Sequence, residues 1–277
     1  CVGADCRFEK GFTSKVPSTA AGGPYANLQG SGGTPGLIFS GDSSPDFGQG
    51  QASQTNWVVG GTVYPETFAP TKVGSVIKTS YAFLLAKTQR GNITPTDIAS
   101  FCGGGGISNC TLSPSIPRGV YIANASLKLT GAGFTFPPNQ NFVILVNGDL
   151  TIAEKIFVPN GSTATWAASG NIIVDKSVGE TSISSAAGDV EGWLSADKSF
   201  IVQGTNDCTI GADLRFNVAG NIVVNAALGG GSFQNLRDLC AGNLQYPSFS
   251  VKERPDLILN SPEFLKQPNF TYQEIAP

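Results

Sequence analysis

The sequence contains no histidine, and charged residues make up only 13% of its 277 residues. Without histidine there can be no Ser-His-Asp triad, no Cys-His pair and no histidine-bearing zinc or haem site. The net charge of −3 comes without a basic stripe, so nucleic acid is not expected as a partner. No apolar run approaches the roughly 18 residues of a membrane-spanning helix. The sequence therefore predicts no transmembrane segment, and any signal peptide is expected to have been removed.

Six cysteines are present, and none forms a CxxC pair. An even number without metal-site spacing favours disulfides, which form in an oxidising compartment. Pairing of nearest neighbours, one of several connectivities that six cysteines allow, predicts Cys1–Cys6, Cys102–Cys110 and Cys208–Cys240. Cys1 has a second interpretation as the lipidated residue of a lipoprotein. We expect a secreted or cell-surface protein with no metal and no cofactor.

The chain changes character along its length. Residues 1–70 are rich in Gly, Ser and Thr and predict an irregular β region, whereas 71–117 predict a small helical hairpin followed by a Gly-rich link. Apolar residues recur at helical spacing up to Leu85, and Thr94-Pro95 is typical of the start of a second helix. This hairpin is expected to cap one end of a β domain, with a partner-binding helix as the alternative.

From residue 118 to 250 the sequence repeats a short polar turn followed by alternating apolar residues. The repeated segments are Asn124–Leu129, Asn147–Ile152, Ser169–Val174, Asp197–Val202 and Ala219–Val224. Steps of 22 to 28 residues between equivalent positions indicate a solenoid. The Leu-x-x-Leu-x-Leu frame of leucine-rich repeats is missing, and the β-branched, period-2 pattern favours a right-handed parallel β-helix.

Alternation within each repeat predicts which side chains face the core. Leu150 and Ile152 point to one face of the strand, and Asp149 and Thr151 to the other. The same register predicts a polar column, a ladder of turn residues that bond to the backbone of adjacent coils. Its members are Asp149, Asn171, Ser199 and Asn221.

The end of the chain carries a resemblance to known proteins. The stretches Arg254-Pro-Asp-Leu-Ile-Leu-Asn260, Pro262-Glu-Phe-Leu-Lys266 and Tyr272-Gln-Glu-Ile-Ala-Pro277, with Arg237-Asp-Leu239 and rungs such as 147–152, form its basis. They resemble uncharacterised extracellular β-helical surface proteins of candidate phyla radiation bacteria (Patescibacteria), and bactofilin-like solenoids share such rungs. The resemblance implies a right-handed β-helix outside the cell and transfers no site residue. Residues 251–277 are expected to pack on the solenoid as a tail.

Carboxylates are the remaining catalytic option in a protein without histidine. A glycosidase needs two carboxyl groups about 5–10 Å apart, but the polar column contains a single one, Asp149. A second candidate cluster is Asp175, Asp189, Glu191 and Asp197. Trp166 and Trp193 lie in the repeats and offer either core packing or contact with a sugar ring.

These observations favour a structural function without catalysis. An open solenoid end exposes unpaired strand groups, which require a cap or invite another subunit. We therefore expect a self-associating homo-oligomer or polymer, the subunit of an extracellular filament or coat, with the first 30 residues as a donated strand. The alternatives are an adhesin that binds a surface glycan and a β-helix enzyme that degrades polysaccharide.

Overall fold

The computed structural model describes residues 79–205, 207–225, 233–244, 246, 248–252 and 254–266, and the backbone of five short strands that precede them. Within this part of the chain the protein is all-β, with parallel strands in curled sheets and few helices. The strands follow the predicted alternation: in Leu150–Ala153, buried and half-buried residues alternate. The predicted all-β class is confirmed.

The strands are short and are numbered in chain order. The first five are β1 (Cys6–Phe8), β2 (Phe12–Ser14), β3 (Ala26–Gln29), β4 (Ile38–Ser40) and β5 (Val63–Tyr64). The next seven are β6 (Thr96–Asp97), β7 (Gly119–Ala123), β8 (Leu127–Thr130), β9 (Phe134–Thr135), β10 (Asn141–Val146), β11 (Leu150–Ala153) and β12 (Ile156–Phe157). The last seven are β13 (Thr163–Ala168), β14 (Ile172–Val174), β15 (Val190–Ala196), β16 (Phe200–Val202), β17 (Phe216–Val224), β18 (Phe233–Asn235) and β19 (Phe249–Lys252).

The described strands wind into two parallel sheets, giving a β-helix-like fold. Sheet 1 has 13 strands and runs β5-β4-β1-β17-β15-β13-β10-β7-β6, while β9, β12, β19 and β3 extend it around a corner. Sheet 2 has six strands in the order β2-β18-β16-β14-β11-β8. The chain passes from sheet 1 to sheet 2 in each coil, so consecutive coils lie one above the next.

Side chains in equivalent positions stack into interior columns. In sheet 2, Leu150 pairs with Leu127 on one side and with Ile172 on the other, and all three are buried. The column continues to Phe200 and Phe233, whose rings stack 5.7 Å apart. Because each coil has an apolar face that it cannot bury alone, the core exists only through this stacking.

The first strands of the chain continue the same solenoid. The backbones of β1, β2 and β3 pair in parallel with β17, β18 and β19, and β4 and β5 extend sheet 1 by two further strands. The segment predicted as an irregular region thus supplies strands to both sheets. The described strands within the first 30 residues pair with this chain's own coils, which differs from the expected donation to another subunit.

The other end of the solenoid is closed by residues 98–116. The coil at this end contains β7 and β8, and the cap residues buried against it include Ile98, Leu112 and Ile116. Phe101 packs edge-to-face on Tyr121, with the ring centroids 5.4 Å apart. The Cys102–Cys110 disulfide joins the two halves of this cap. The cap was expected, but as a helical hairpin.

The second helix of that hairpin is a correction. Where Thr94-Pro95 predicted a helix start, the chain forms β6 and then a short 3₁₀ helix at Ile98–Phe101. Asp97 caps this turn by accepting a hydrogen bond from the Ala99 N–H at 2.9 Å. Pairing of β6 with β7 holds the segment extended, so tertiary context overrides the local helix signal.

Three described α-helices lie outside the sheets: α1 (Tyr81–Arg90), α2 (Pro255–Leu259) and α3 (Glu263–Lys266). Helix α1 begins at Ser80, whose hydroxyl accepts a hydrogen bond from the Phe83 N–H, and ends at Gly91. The part of the predicted first helix at 71–78 lies outside the described residues. None of the helices in the described part of the chain has the length and apolar character of a membrane span.

The fifth predicted repeat is wrong in register. Ile222 and Val224 pair with Leu194 and Ala196 in sheet 1, whereas Phe233 takes the place opposite Phe200 in sheet 2. The Gly-Asn pair at Gly220 lies at a different corner, within β17 and opposite Gly192 of β15. Both long strands bend at these glycines, whose φ values are +126° at Gly192 and +144° at Gly220. Glycine before an apolar run is therefore a corner signal that does not identify which corner.

Replacement of Phe233 by Ala tests this register. Phe233 is fully buried between Phe200 and Phe249, so the truncation should lower the free energy of unfolding by about 3–5 kcal/mol. The measurement is urea unfolding followed by circular dichroism. Gln234→Ala, a change at the next, outward-facing residue, is the control and should have little effect. Equal losses in both variants would contradict the assigned register.

Candidate binding face

The outward-facing side chains of sheet 2 form three parallel columns, which we call the flat face. The central column consists of Lys128, Thr151, Ile173, Ile201 and Gln234. It is flanked on one side by Ser126, Asp149, Asn171 and Ser199, and on the other by Thr130, Ala153, Asp175 and Gln203. Consecutive parallel strands repeat these positions about every 4.8 Å.

The flat face is accessible, with little charge at its centre. Thr151, Ile173 and Ile201 are half-buried, as expected for side chains that stand in rows on an outer sheet surface. Lys128 lies at the capped end, and the carboxylates of Asp149 and Asp175 lie in the flanking columns. The repeat pattern predicts that these positions face outward, whereas polarity alone identifies only their neighbours in the flanking column.

A hydrogen-bond ladder holds one edge of the flat face. The Ser126 hydroxyl accepts from the Asp149 N–H at 3.0 Å, and the Asp149 carboxylate accepts from the Asn171 N–H at 2.7 Å. The Asn171 side-chain oxygen then accepts from the Ser199 N–H at 3.0 Å. Each side chain thereby bonds to the backbone of the next coil. Three of the four predicted ladder residues come together, and Ser126 adds a rung that the sequence analysis missed.

Asn221, the fourth predicted ladder residue, lies elsewhere. It is buried on the outer side of sheet 1, paired with Trp193, because its repeat belongs to that sheet. Helices cover part of this side of sheet 1, because α1 packs on β10 and β13 and α2 packs on β13. Its residues Val143 and Leu145 are fully buried beneath α1. The outer sides of the two sheets therefore differ in burial: helices pack on part of sheet 1, whereas the outer side of sheet 2 stays accessible.

The four carboxylates of the second candidate cluster have separate partners. Asp175 caps a turn by accepting hydrogen bonds from the Ser177 N–H and hydroxyl. Burial raises the pKa of Asp175, but these hydrogen bonds lower it further, so the pKa lies below its usual value. Glu191 accepts from the Val158 N–H at 2.8 Å and pairs with Arg254 at 3.1 Å. Each of these acids already has a structural contact.

Asp189 and Asp197 are both buried, and burial raises the pKa of each. Asp189 is held by Lys155, and Asp197 accepts from the Tyr81 N–H at the start of α1 and from the Asn225 amide at 2.9 Å. These contacts place the two carboxylates at different corners of the coil. The predicted cluster does not form a shared groove among the described residues.

The cysteines and tryptophans are also placed. The structure contains the predicted bonds Cys102–Cys110 and Cys208–Cys240, whereas Cys1 and the side chain of Cys6 lie outside the described residues. Trp166 is fully buried in the core beside Phe136, and Trp193 is half-buried on the outer side of sheet 1. Neither tryptophan lies on the flat face.

Comparisons with known proteins show a weak likeness to solved structures. No family model matches the chain, and no curated protein matches it. Among solved structures, the chain is similar to the DUF3494 domain of ice-binding protein 1 from Shewanella frigidimarina. The identity is 16% over 91% of this chain and 94% of that chain, with a TM-score of 0.45. A likeness this weak transfers neither topology nor function, and the fold described above follows from this chain's own strand pairings.

Replacement of Asp149 by Ala tests the ladder. The change removes the acceptor for the Asn171 backbone and side-chain N–H groups, so the free energy of unfolding should fall by about 1–3 kcal/mol. Chemical denaturation gives this quantity. Asp149→Asn keeps an acceptor oxygen in place and should retain most of the stability. Equal losses in the two variants would show that the charge, not the ladder bond, is responsible.

The burial of Glu154 predicts that the stability of the fold depends on pH. Glu154 is 4% exposed, and its Oε1 has no hydrogen-bond partner among the described residues. Burial raises the pKa of Glu154, although a hydrogen bond with the Gly133 backbone lowers it. The fold thus favours the protonated acid, and stability is lost as the pH rises through the raised pKa.

Glu154→Gln removes that titration and should be more stable than the wild type at neutral pH. The difference should fade toward pH values below about 4.3, where glutamic acid is protonated in both the folded and the unfolded chain. Thermal unfolding across this pH range measures it. A difference that does not change with pH would contradict an ionised, buried Glu154.

Proposed function

We propose that this protein is an extracellular, right-handed β-helix that binds an extended, regularly repeating surface through its flat face. Right-handed winding is the usual hand of parallel crossover connections. The observation that carries the binding proposal is the set of three in-register columns on sheet 2, which stay accessible while helices cover part of the outer side of sheet 1. The two disulfides are compatible with secretion.

The shape of the face favours a surface over a small molecule. Small-molecule sites are concave and enclose their ligand, whereas the columns of the flat face repeat with the strand spacing. A partner with its own repeat would meet the same contact at every coil. The ladder restrains Asp149 and Asn171 before binding, and restrained side chains lose less conformational entropy on binding.

Among repeating surfaces, ice is the one that this face suits best. The reasons lie within the face itself, although the similar Shewanella frigidimarina protein is also named as ice-binding. The central residues Thr151, Ile173 and Ile201 combine a hydroxyl with methyl groups and carry no charge. Such a row interacts with ordered water through methyl contact and hydrogen bonding together. Sugar rings are usually held by aromatic stacking, and the flat face has no aromatic side chain in any of its three columns.

The other functions considered from the sequence have less support. End-to-end growth of a filament needs two open ends, and the cap at 98–116 covers one of them with buried apolar residues. Catalysis on polysaccharide needs two cooperating carboxyl groups, and the candidate acids are each engaged in separate contacts. We propose a binding role without catalysis, in a cell-surface protein of the kind that the C-terminal sequence resembles.

Thr151→Tyr tests the proposal. The bulky ring would stand above the central column and prevent close approach of a flat lattice, so inhibition of ice recrystallisation should be lost. Thr135→Tyr is the matched control, because Thr135 is an exposed strand residue on another side of the solenoid. This variant should keep the wild-type activity, and both should melt close to the wild-type temperature.

Two results would overturn the choice of ice. A wild-type protein that does not affect ice but co-sediments with insoluble chitin or cellulose would be a glycan adhesin. A protein that binds none of these surfaces and forms concentration-dependent filaments in electron micrographs would support self-association instead.

A further inference from the structure

Three charged side chains meet at the corner of the solenoid where β11 leads into β12. The Lys155 Nζ lies 2.5 Å from Glu180 Oε1 and 3.0 Å from Asp189 Oδ1. The Asp189 side chain is fully buried, whereas those of Lys155 and Glu180 are 30% and 23% exposed. We propose that Lys155 and Asp189 form an intramolecular isopeptide bond, with Glu180 as the proton-transfer group.

Backbone contacts hold the two carboxylates in position. The Asp189 N–H donates to the Asn217 carbonyl, and the Asp189 carbonyl accepts from the Ile156 N–H. Glu180 exchanges two backbone hydrogen bonds with Arg215. Because both acids lie on a fixed backbone, the Lys155 amine stays close to them, which raises its effective concentration at the carboxyl carbon.

The two oxygens of Asp189 have different environments that suit this condensation. Oδ2 accepts a hydrogen bond from the Asn217 N–H at 2.8 Å, and Oδ1 faces the Lys155 amine. A backbone N–H on Oδ2 stabilises the negative charge that develops there during attack. Oδ2 thus becomes the amide oxygen, and Oδ1 becomes the leaving group.

Proton transfer has to precede the attack, because lysine reacts as the neutral amine. Burial lowers the pKa of Lys155, but its bonds to Glu180 and Asp189 leave that pKa above its usual value. Glu180, in direct contact with Nζ, is the base that accepts the first proton. Burial raises the pKa of Asp189, and this favours the protonated carboxyl that the reaction needs.

The reaction balances without any oxidant, reductant or cofactor. The neutral Nζ forms a bond to Asp189 Cγ, and the bond between Cγ and Oδ1 breaks. The ammonium nitrogen loses two protons in all, and both are transferred to Oδ1. Oδ1 then leaves as water. Glu180 relays a proton and is unchanged at the end. Its partial exposure connects the site to solvent, so that the water can depart.

Glu180 is the less suitable partner for the bond itself. Its carboxylate is in contact with solvent, and water competes there with the amine. Asp189 is excluded from water and lies where the chain returns from the 176–189 excursion. A bond from Lys155 to Asp189 would therefore join that excursion covalently to the preceding coil, beside the existing pair Ile156–Val190.

Mass spectrometry of the intact, reduced and denatured wild-type protein tests the proposal. The measured mass should be lighter than the sequence mass by one water molecule. Tryptic digestion should give a branched peptide that joins the Lys155 and Asp189 segments, because trypsin does not cleave after an amidated lysine. A wild-type protein at the full sequence mass, with an unbranched Lys155 peptide, would overturn the proposal.

Variants assign the bond to these residues. Lys155→Arg keeps the positive charge but cannot form the amide, and Glu180→Gln removes the base, so both should have the full mass. Lys266→Arg is the matched control, because Lys266 forms an ion pair with Glu263 on the exposed helix α3. It should retain the loss of water. A loss that persists in Lys155→Arg would place the modification elsewhere and contradict the proposed bond.

Discussion

In-register stacking of one coil on the next is the constraint on which the rest of the structure depends. A single rung such as Leu150–Ala153 has an apolar face that only its neighbours Leu127 and Ile172 can cover. The same register that builds the interior columns aligns the exterior ones. A slip of one residue would turn Thr151 inward and Ile152 outward, and would therefore destroy the core and the flat face together.

Polar groups at the corners make this register specific. Arg237 is fully buried and donates three hydrogen bonds, of 2.7–2.8 Å, to the carbonyls of Gln203, Leu214 and Asp175. Burial lowers its pKa to about 10. These carbonyls belong to separate turns, so one side chain connects the segments that leave and re-enter the coils. The Arg237-Asp-Leu239 segment, part of the resemblance to surface proteins, contains this connection.

The sequence alone could predict what depends on local pattern. Alternation identifies Leu150 and Ile152 as interior residues, and short chain separation is enough to pair Cys102 with Cys110. The sequence could not predict that Phe233 continues the column of Phe200, because a long stretch of chain separates the two residues. In addition, Gly220-Asn221 has the same residues as the turn of a rung. Local signals identify a corner, whereas the register of coils decides which corner it is.

The candidate sites differ in the same way. Thr151, Ile173 and Ile201 follow directly from the repeat once the outward positions are considered. The contact of Lys155 with Glu180 and Asp189 depends instead on where two excursions return to the solenoid, which no local pattern contains. A repeated surface is therefore easier to predict from the sequence than a site that forms once.

Closure of one solenoid end leaves the sides of the molecule as surfaces for the proposed binding. Stacked coils expose unpaired strand groups only at their ends, and the cap with its disulfide occupies one end, while α1 covers much of the outer side of sheet 1. The flat face is a repeating surface that the described part of the chain leaves accessible. A solenoid that is closed at one end and has a regular, exposed side suits the proposed binding along another surface.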